Sequence, residues 1–154
     1  ECNTKILIFS DSHGRFESMR LAVLKERPDL VIHLGDGATD LRRLKGEFPE
    51  IPAAGVRGNC DIGVSGDASM TLTLEGVKIL ITHGHIYGVK QGYATAVEAA
   101  KNEGADLLLF GHTHRAEYMM VSGLHLLNPG SIMNGHYAVA ELKDGKISCK
   151  LETI

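Results

Sequence analysis

Cysteine is scarce in this 154-residue chain, and no block of positive charge stands out in it. The three cysteines, Cys2, Cys60 and Cys149, are odd in number and widely spaced. That pattern yields neither a disulfide framework nor a paired-cysteine metal knuckle, and it leads us to expect a reducing compartment. Lys and Arg number 16 against 19 Asp and Glu, for a net charge of -3 and a pI near 6.2. A surface that tracks nucleic-acid phosphates is therefore not expected. No apolar run approaches the roughly 20 residues of a membrane helix. There is no internal repeat, low-complexity tract or Pro-rich linker, so residues 1–154 read as one domain, long enough for a single core. The opening Glu1-Cys2-Asn3-Thr4-Lys5 leads directly into a strand pattern without signal-peptide organisation, giving a cytoplasmic expectation. The first residue is not Met, which leaves a processed or engineered start open.

What the chain does have is a series of short apolar runs, each ending in polar residues. Leu107-Leu108-Leu109-Phe110 stops at Gly111 and then presents His112-Thr113-His114. Ile6-Leu7-Ile8-Phe9 ends in Ser10-Asp11-Ser12-His13, and Leu30-Val31-Ile32-His33-Leu34 in Gly35-Asp36. Ala53-Ala54-Gly55-Val56 leads to Arg57-Gly58-Asn59-Cys60-Asp61, and Ile79-Leu80-Ile81 to Thr82-His83-Gly84-His85. Apolar runs of this length bounded by turn residues read as buried strands.

Between them, Phe16 to Arg27 reads as a helix, with Phe16, Met19, Val23 and Leu24 near helical spacing and Pro28 as its stop. Thr39 or Asp40 is expected to cap a short helix through Leu44. This β-α-β-α-β order predicts parallel strands with helices packed on the sheet. The rhythm then changes. Met70 to Leu74 alternates with period two and turns at Glu75-Gly76 into Val77 to Ile81, so the sheets are mixed. Tyr93 to Glu103 predicts an amphipathic helix ending at Gly104, and the tail is β again, with a last hairpin turn at Asp144-Gly145. The loop Ile62 to Ala68 is the expected flexible segment.

Ligands of such sheets sit beyond the carboxyl ends of the strands, and all five polar clusters fall on that edge. Taken singly, each cluster has an ordinary reading: a turn, a helix cap, a left-handed Gly-Asn. Together, Asp11, His13, Asp36, Asn59, His83, His112 and His114 supply seven mixed oxygen and nitrogen donors. That is too many for one tetrahedral zinc, and it suits a two-metal centre with open positions. Two cations roughly 3.5–4 Å apart can bridge a hydroxide and clamp a phosphoryl group for in-line attack. His85 is weighed as a contact to substrate or bound water, and Arg57 and Arg115 as residues that could meet a phosphate. His33, His125 and His136 read as structural, and Asn128-Pro129-Gly130-Ser131 as a turn lining the rim.

Asp11-x-His13, Gly35-Asp36, Gly58-Asn59, His83 and Gly111-His112-x-His114 together resemble the signature of the calcineurin-like metallophosphoesterases. The small size, the Gly-Asn-Cys-Asp form and the Asn128 to Ser131 loop resemble the small prokaryotic phosphodiesterase branch. The resemblance implies an α/β fold, a four-layer α/β/β/α sandwich with mixed sheets (the metallo-dependent phosphatase fold). It implies one metal on Asp11, His13, Asp36 and His114 and a second on Asp36, Asn59, His83 and His112, with Asp36 bridging. The expected ions are two divalent metals, Mn first, with Fe, Zn, Ni or Co as alternatives. The expected catalytic residues are His83, His85 and Asn59, and the partner a small phosphate ester, with no membrane and a homo-oligomer left open. One position departs from the pattern: where phosphomonoesterase branches carry a His after the motif Asn, this chain has Cys60, which biases the expected activity to diesters. The rival reading is a protein-interaction scaffold like the retromer subunit that shares this fold. That reading expects lost ligands, and all seven positions are filled here.

Overall fold

The computed structural model describes residues 3–58 and 69–154. Asn59, Cys60, Asp61 and the expected flexible loop Ile62 to Ala68 lie outside the described residues.

Among the described residues, ten strands and three α-helices follow in the order β1 (Asn3–Phe9), α1 (Phe16–Glu26), β2 (Leu30–His33), α2 (Ala38–Glu47), β3 (Ala53–Gly55), β4 (Ser69–Leu74), β5 (Val77–Thr82), α3 (Ala94–Asn102), β6 (Leu107–Leu109), β7 (Ala116–Val121), β8 (Leu124–Pro129), β9 (His136–Lys143) and β10 (Lys146–Thr153). They form two five-stranded sheets, β10-β9-β1-β2-β3 and β4-β5-β6-β8-β7. Both are mixed. The pairs β1–β2, β2–β3, β5–β6 and β6–β8 run parallel, and β1–β9, β9–β10, β4–β5 and β7–β8 run antiparallel.

Period-two alternation sorts the strand side chains into layers. Ile6 and Ile8 of β1 face Ile79, Ile81, Leu107 and Leu109 across the space between the sheets. Leu7 and Phe9, one residue out of phase, pack instead against Phe16, Met19 and Val23 of α1 and Leu41 and Leu44 of α2. On the other sheet Leu80, Leu108 and Leu126 pack against Ala96 and Ala100 of α3. The layers are thus α/β/β/α, as the family resemblance implied. Strands buried on both faces explain the unbroken apolar runs in β1, β5 and β6.

Three hairpins, Glu75-Gly76, Ser122-Gly123 and Asp144-Gly145, carry two successive positive φ angles. This is the turn whose twist matches paired antiparallel strands.

The structure corrects three local expectations. In α1 the buried stripe is Phe16, Met19, Ala22 and Val23, whereas Leu24 is 49% exposed. The residue after Val23 is turned about 100° around the helix axis, out of the stripe. Helix α2 runs on to Glu47 and starts behind Gly37 with no side-chain cap. Asp40 is not a cap there: it accepts hydrogen bonds from Ser12 Oγ (2.6 Å) and Gly14 N (2.8 Å), fastening the loop after β1. Asn128 and Ser131 are fully buried, beneath the loops rather than on their rim, because β8 continues through Pro129.

At the opposite end of α1, Glu26 accepts from the Tyr137 hydroxyl (2.6 Å) and pairs with Lys5 (3.1 Å), tying the helix to β9 and β1. Burial pushes the Glu26 carboxyl pKa up, but the bonds from Tyr137 and Lys5 outweigh it and hold it below the usual value. A depressed folded pKa contributes stability above the unfolded value of about 4.3, lost as pH falls through the lower folded value. Glu26→Gln is therefore expected to cost roughly 1–2 kcal/mol at pH 7. The difference from the parent chain should shrink on acidification, read as urea midpoints from pH 7 down to pH 2.5. A gap independent of pH would contradict this assignment.

Candidate metal centre

The carboxyl ends of β1, β2, β5 and β6 lie at one end of the sandwich, and the loops leaving them are tied by main-chain bonds. Asp11 N donates to Gly35 O (3.0 Å), His13 N to Asp36 O (3.1 Å) and Gly111 N to His83 O (3.0 Å). The last of these crosses from one ligand-bearing loop of the second sheet to the other.

Six of the seven candidate ligands are among the described residues, and they converge. Asp11, His13 and His114 form one group and Asp36, His83 and His112 another, the ligand atoms within each lying within 4.8 Å of one another. The groups adjoin. Asp36 Oδ2 is 3.2 Å from His83 Nε2 and 3.8 Å from His13 Nε2, and Asp11 Oδ1 is 3.3 Å from His114 Nε2 and 3.7 Å from His83 Nε2. His83 Nε2 and His112 Nδ1 are 3.1 Å apart.

The backbone is forced to present these groups. Asp11, His13, Asp36, His112 and His114 have φ of 54°, 44°, 60°, 74° and 62°. Left-handed conformations cost non-glycine residues roughly 1–3 kcal/mol each and persist where surrounding structure over-determines them. The other positive-φ non-glycine residues among those described, Arg27, Glu75, Ser122 and Asp144, lie at the end of α1 or in hairpins.

A buried support lies beneath. Ser10 Oγ (2.6 Å) and His112 N (3.1 Å) both donate to Asp11 Oδ2, and Ser131 Oγ donates to Asp11 O (2.8 Å). Asn128 Nδ2 donates to Thr113 Oγ1 (2.8 Å), between the two histidines of that loop. Gly35 N donates to His33 Nδ1 (3.1 Å), so the proton sits on His33 Nε2 and is directed at Ser12 Oγ (3.0 Å). His33 is thus structural, as read. Nothing in the sequence marks Ser10, Ser12, Asp40, Asn128 and Ser131 as supports, since Ser and Asn beside a motif Asp or Gly read as turn formers.

Electrostatics separates the imidazoles. Burial lowers the His83 pKa, yet its bond to Asp36 and the charges of Asp11 and Asp36 outweigh that and hold it above the usual value. His83 Nδ1 donates to Leu34 O (2.7 Å), because a carbonyl can only accept, so Nε2 is the atom that faces the carboxylates. His112 is lowered by burial and by the charges of His83 and Lys90, and His85 by burial and by the charges of His83 and Arg57. His85 lies in the short turn His85–Tyr87, its ring 5.4 Å from His83 and 6.2 Å from His112, with a buried Nδ1 that lacks a hydrogen-bond partner.

The donor set fits divalent cations. Asp11 is fully buried, and its Oδ1 accepts no hydrogen bond while three histidine nitrogens surround it at 3.3–3.9 Å. An unpaired buried carboxylate oxygen is costly unless a cation compensates it. Carboxylate and imidazole donors suit Mn, Fe, Zn and related ions.

A two-sheet sandwich that gathers carboxylates and imidazoles at its strand ends has the build of a metallohydrolase. A sequence profile of the calcineurin-like phosphoesterase superfamily domain matches residues 4–145. The chain is 39% identical over 129 residues to the probable metallophosphoesterase YsnB of Bacillus subtilis, covering 82% of this chain and 74% of that one. It is 30% identical over 146 residues to a phosphodiesterase of Methanocaldococcus jannaschii, covering 82% of each. Among solved structures it is similar to a predicted phosphoesterase of Streptococcus pneumoniae, with a TM-score of 0.84, 26% identity and coverage of 99% and 91%. It shares its fold with Vacuolar Protein Sorting 29 of Cryptosporidium parvum, with a TM-score of 0.80, 14% identity and coverage of 100% and 99%. The chain belongs to the calcineurin-like phosphoesterase superfamily.

Packing under the centre leaves no room for a methyl group at Gly111. A Cβ there would lie 1.9 Å from Ser10 Oγ and 3.1 Å from Asp11 Oδ2. Gly111→Ala is expected to displace the Ser10 hydroxyl from Asp11 and destabilise the chain by about 1–3 kcal/mol. Gly46→Ala, inside α2 with nothing within 4 Å, should instead stabilise by up to about 1 kcal/mol. Denaturant midpoints of the two variants check the contrast; equal effects would contradict it.

Proposed function

We propose that this protein is a two-metal phosphodiesterase acting on small phosphate esters. One divalent cation is held by Asp11, His13, Asp36 and His114, and a second by Asp36, Asn59, His83 and His112. The observation that carries the reading is the orphaned Asp11 Oδ1 amid imidazoles, beside an adjoining carboxylate–imidazole group around Asp36. The phosphodiesterase relative in Methanocaldococcus jannaschii supports diesters as the substrate class. When bound, two divalent ions, Mn first among the candidates, supply Lewis acidity for phosphoryl oxygens and lower the pKa of water.

The chain's own residues do the rest. Leu34 O holds the proton of His83 on Nδ1 and so aims Nε2 inward. Ser10 and the His112 amide hold Asp11 Oδ2, which turns Oδ1 toward the ligands. We assign substrate contact to His85, whose pKa is lowered by burial and by the charges of His83 and Arg57, which favours the neutral ring. The scaffold alternative has less support. Every described ligand position is filled, and the likeness to Vacuolar Protein Sorting 29, at 14% identity, concerns the fold.

Metal-stripped protein should fail to hydrolyse bis(p-nitrophenyl) phosphate and regain activity with Mn, whereas Asp36→Asn should lose roughly 100-fold or more. Mn should also raise the Tm of the parent chain and not that of Asp36→Asn, since an ion that binds the folded state stabilises it. A folded parent chain that is inert with every divalent metal would favour the scaffold. Cys60 in place of a general-acid His further predicts that an aryl diester outpaces an alkyl monoester. A strong monoester preference would sink the diesterase assignment while leaving the metal centre intact.

A further inference from the structure

The loops that carry His83 and His112 continue away from the metal centre and enclose a cleft of about 490 Å³. One wall is the segment after the turn His85–Tyr87, with Lys90, Gln91 and Tyr93; the other is Thr113, Arg115 and Glu117. Thr113 stands between His112 and His114, so the cleft begins at the ligand loop itself. Its volume falls in the range of small-molecule sites, roughly 300–1,000 Å³.

The walls are built rather than loose. Tyr93 packs against buried Phe110 with the rings tilted and their centroids 4.9 Å apart, its hydroxyl donates to Glu117, and Asn128 holds the Thr113 hydroxyl. Burial and the neighbouring Glu117 push the Tyr93 phenol up to about 12, so it stays protonated and Glu117 stays engaged. Lys90 and Arg115 are exposed in the cleft, and among the described residues neither has a carboxylate within salt-bridge range. Two cations here exceed what the scissile phosphate requires, because a metal centre already supplies its positive charge.

Resting on the diesterase reading, we propose that this cleft receives one ester arm of the substrate, and that Lys90 and Arg115 select an arm bearing a second anionic group. Glu117, occupied by Tyr93, sets the polar inner wall, and the anion lies nearer Lys90 and Arg115. The shared chemistry is a negative charge a few bonds from the ester oxygen, whether carboxylate or phosphoryl.

Three p-nitrophenyl phosphodiesters test this, with propyl, 2-carboxyethyl and 3-phosphonopropyl as second arms, hydrolysed by the Mn-loaded protein. Both anionic arms should raise kcat/KM about tenfold over propyl, and the advantage should shrink between 50 and 500 mM salt. A preference confined to one anionic arm identifies that group as the source of the charge. In Lys90→Gln with Arg115→Gln, the ratio of anionic to neutral arm should fall to about one. Calorimetry gives a readout independent of turnover: 3-phosphonopropionate should bind more tightly than propylphosphonate, and the double variant should lose the difference. Equal turnover of the three esters, or a ratio unchanged in the double variant, overturns this proposal and leaves the diesterase reading standing. If all three esters are inert, both fall together.

Discussion

Two carboxylates held out of water at one point set the terms for the rest of this structure. Asp11 is fully buried and Asp36 is 4% exposed, and they face the same cluster of imidazoles. Removing an ion from water costs several kcal/mol even after relaxation, recovered only by close partners. The chain provides them from residues beside Asp11 and from loops far along the sequence. A serine and a main-chain amide satisfy one Asp11 oxygen, and histidines from three other loop positions surround the second. Five left-handed residues in those loops add strain on top of the desolvation. The centre is therefore a net cost to folding, and the cores on either side of the two sheets must offset it.

The sandwich is suited to that task because alternation commits every strand residue to a layer before the strand ends. Ile6 and Ile8 bind β1 to the opposite sheet, Leu7 and Phe9 bind it to α1, and the next residues, Ser10 and Asp11, emerge at a fixed height and direction. The same holds for β5 and β6, whose Ile79, Ile81, Leu107 and Leu109 fix the points where His83 and His112 begin. Once the strands are placed, the loops have almost no slack. A Cβ on Gly37 would lie 1.9 Å from Ser12 Oγ, and one on Gly111 the same distance from Ser10 Oγ. The glycines beside the ligands thus serve close packing as much as unusual backbone angles.

Much of this was legible in residue order, and the illegible parts share a cause. Apolar runs in β1, β2, β5 and β6, and Gly-containing turns such as Asp144-Gly145, are local signals, and local signals survive in any context. The donor set was readable because each member follows such a run. Leu24 departs from expectation because an apolar residue near helical spacing says nothing of whether a partner faces it. Asp40 looked like a helix cap and instead bonds Ser12, 28 residues earlier in the chain. Asn128 and Ser131 looked like rim residues and lie under the site, because the path of β8 beside β6 depends on the whole second sheet. Nothing local marks Lys90: its relation to Arg115 exists only after two loops from different strands have been brought side by side.

The choice of histidine over lysine or arginine opposite the carboxylates follows from the same electrostatics. A lysine there would compensate Asp11 and Asp36 permanently, as a fixed cation that nothing could displace. An imidazole can compensate in two ways. With no ion present, the carboxylates hold the His83 pKa above its usual value and so favour a proton on Nε2. A divalent ion, once bound as proposed, would take that nitrogen in its neutral form, while Leu34 O would keep Nδ1–H and the ring orientation. The centre proposed here then needs no rearrangement between its two states, which is what a backbone with so little free space permits. Permanent cations are placed outside it, at Lys90 and Arg115, where they can attract a substrate anion without competing with a metal for Asp11.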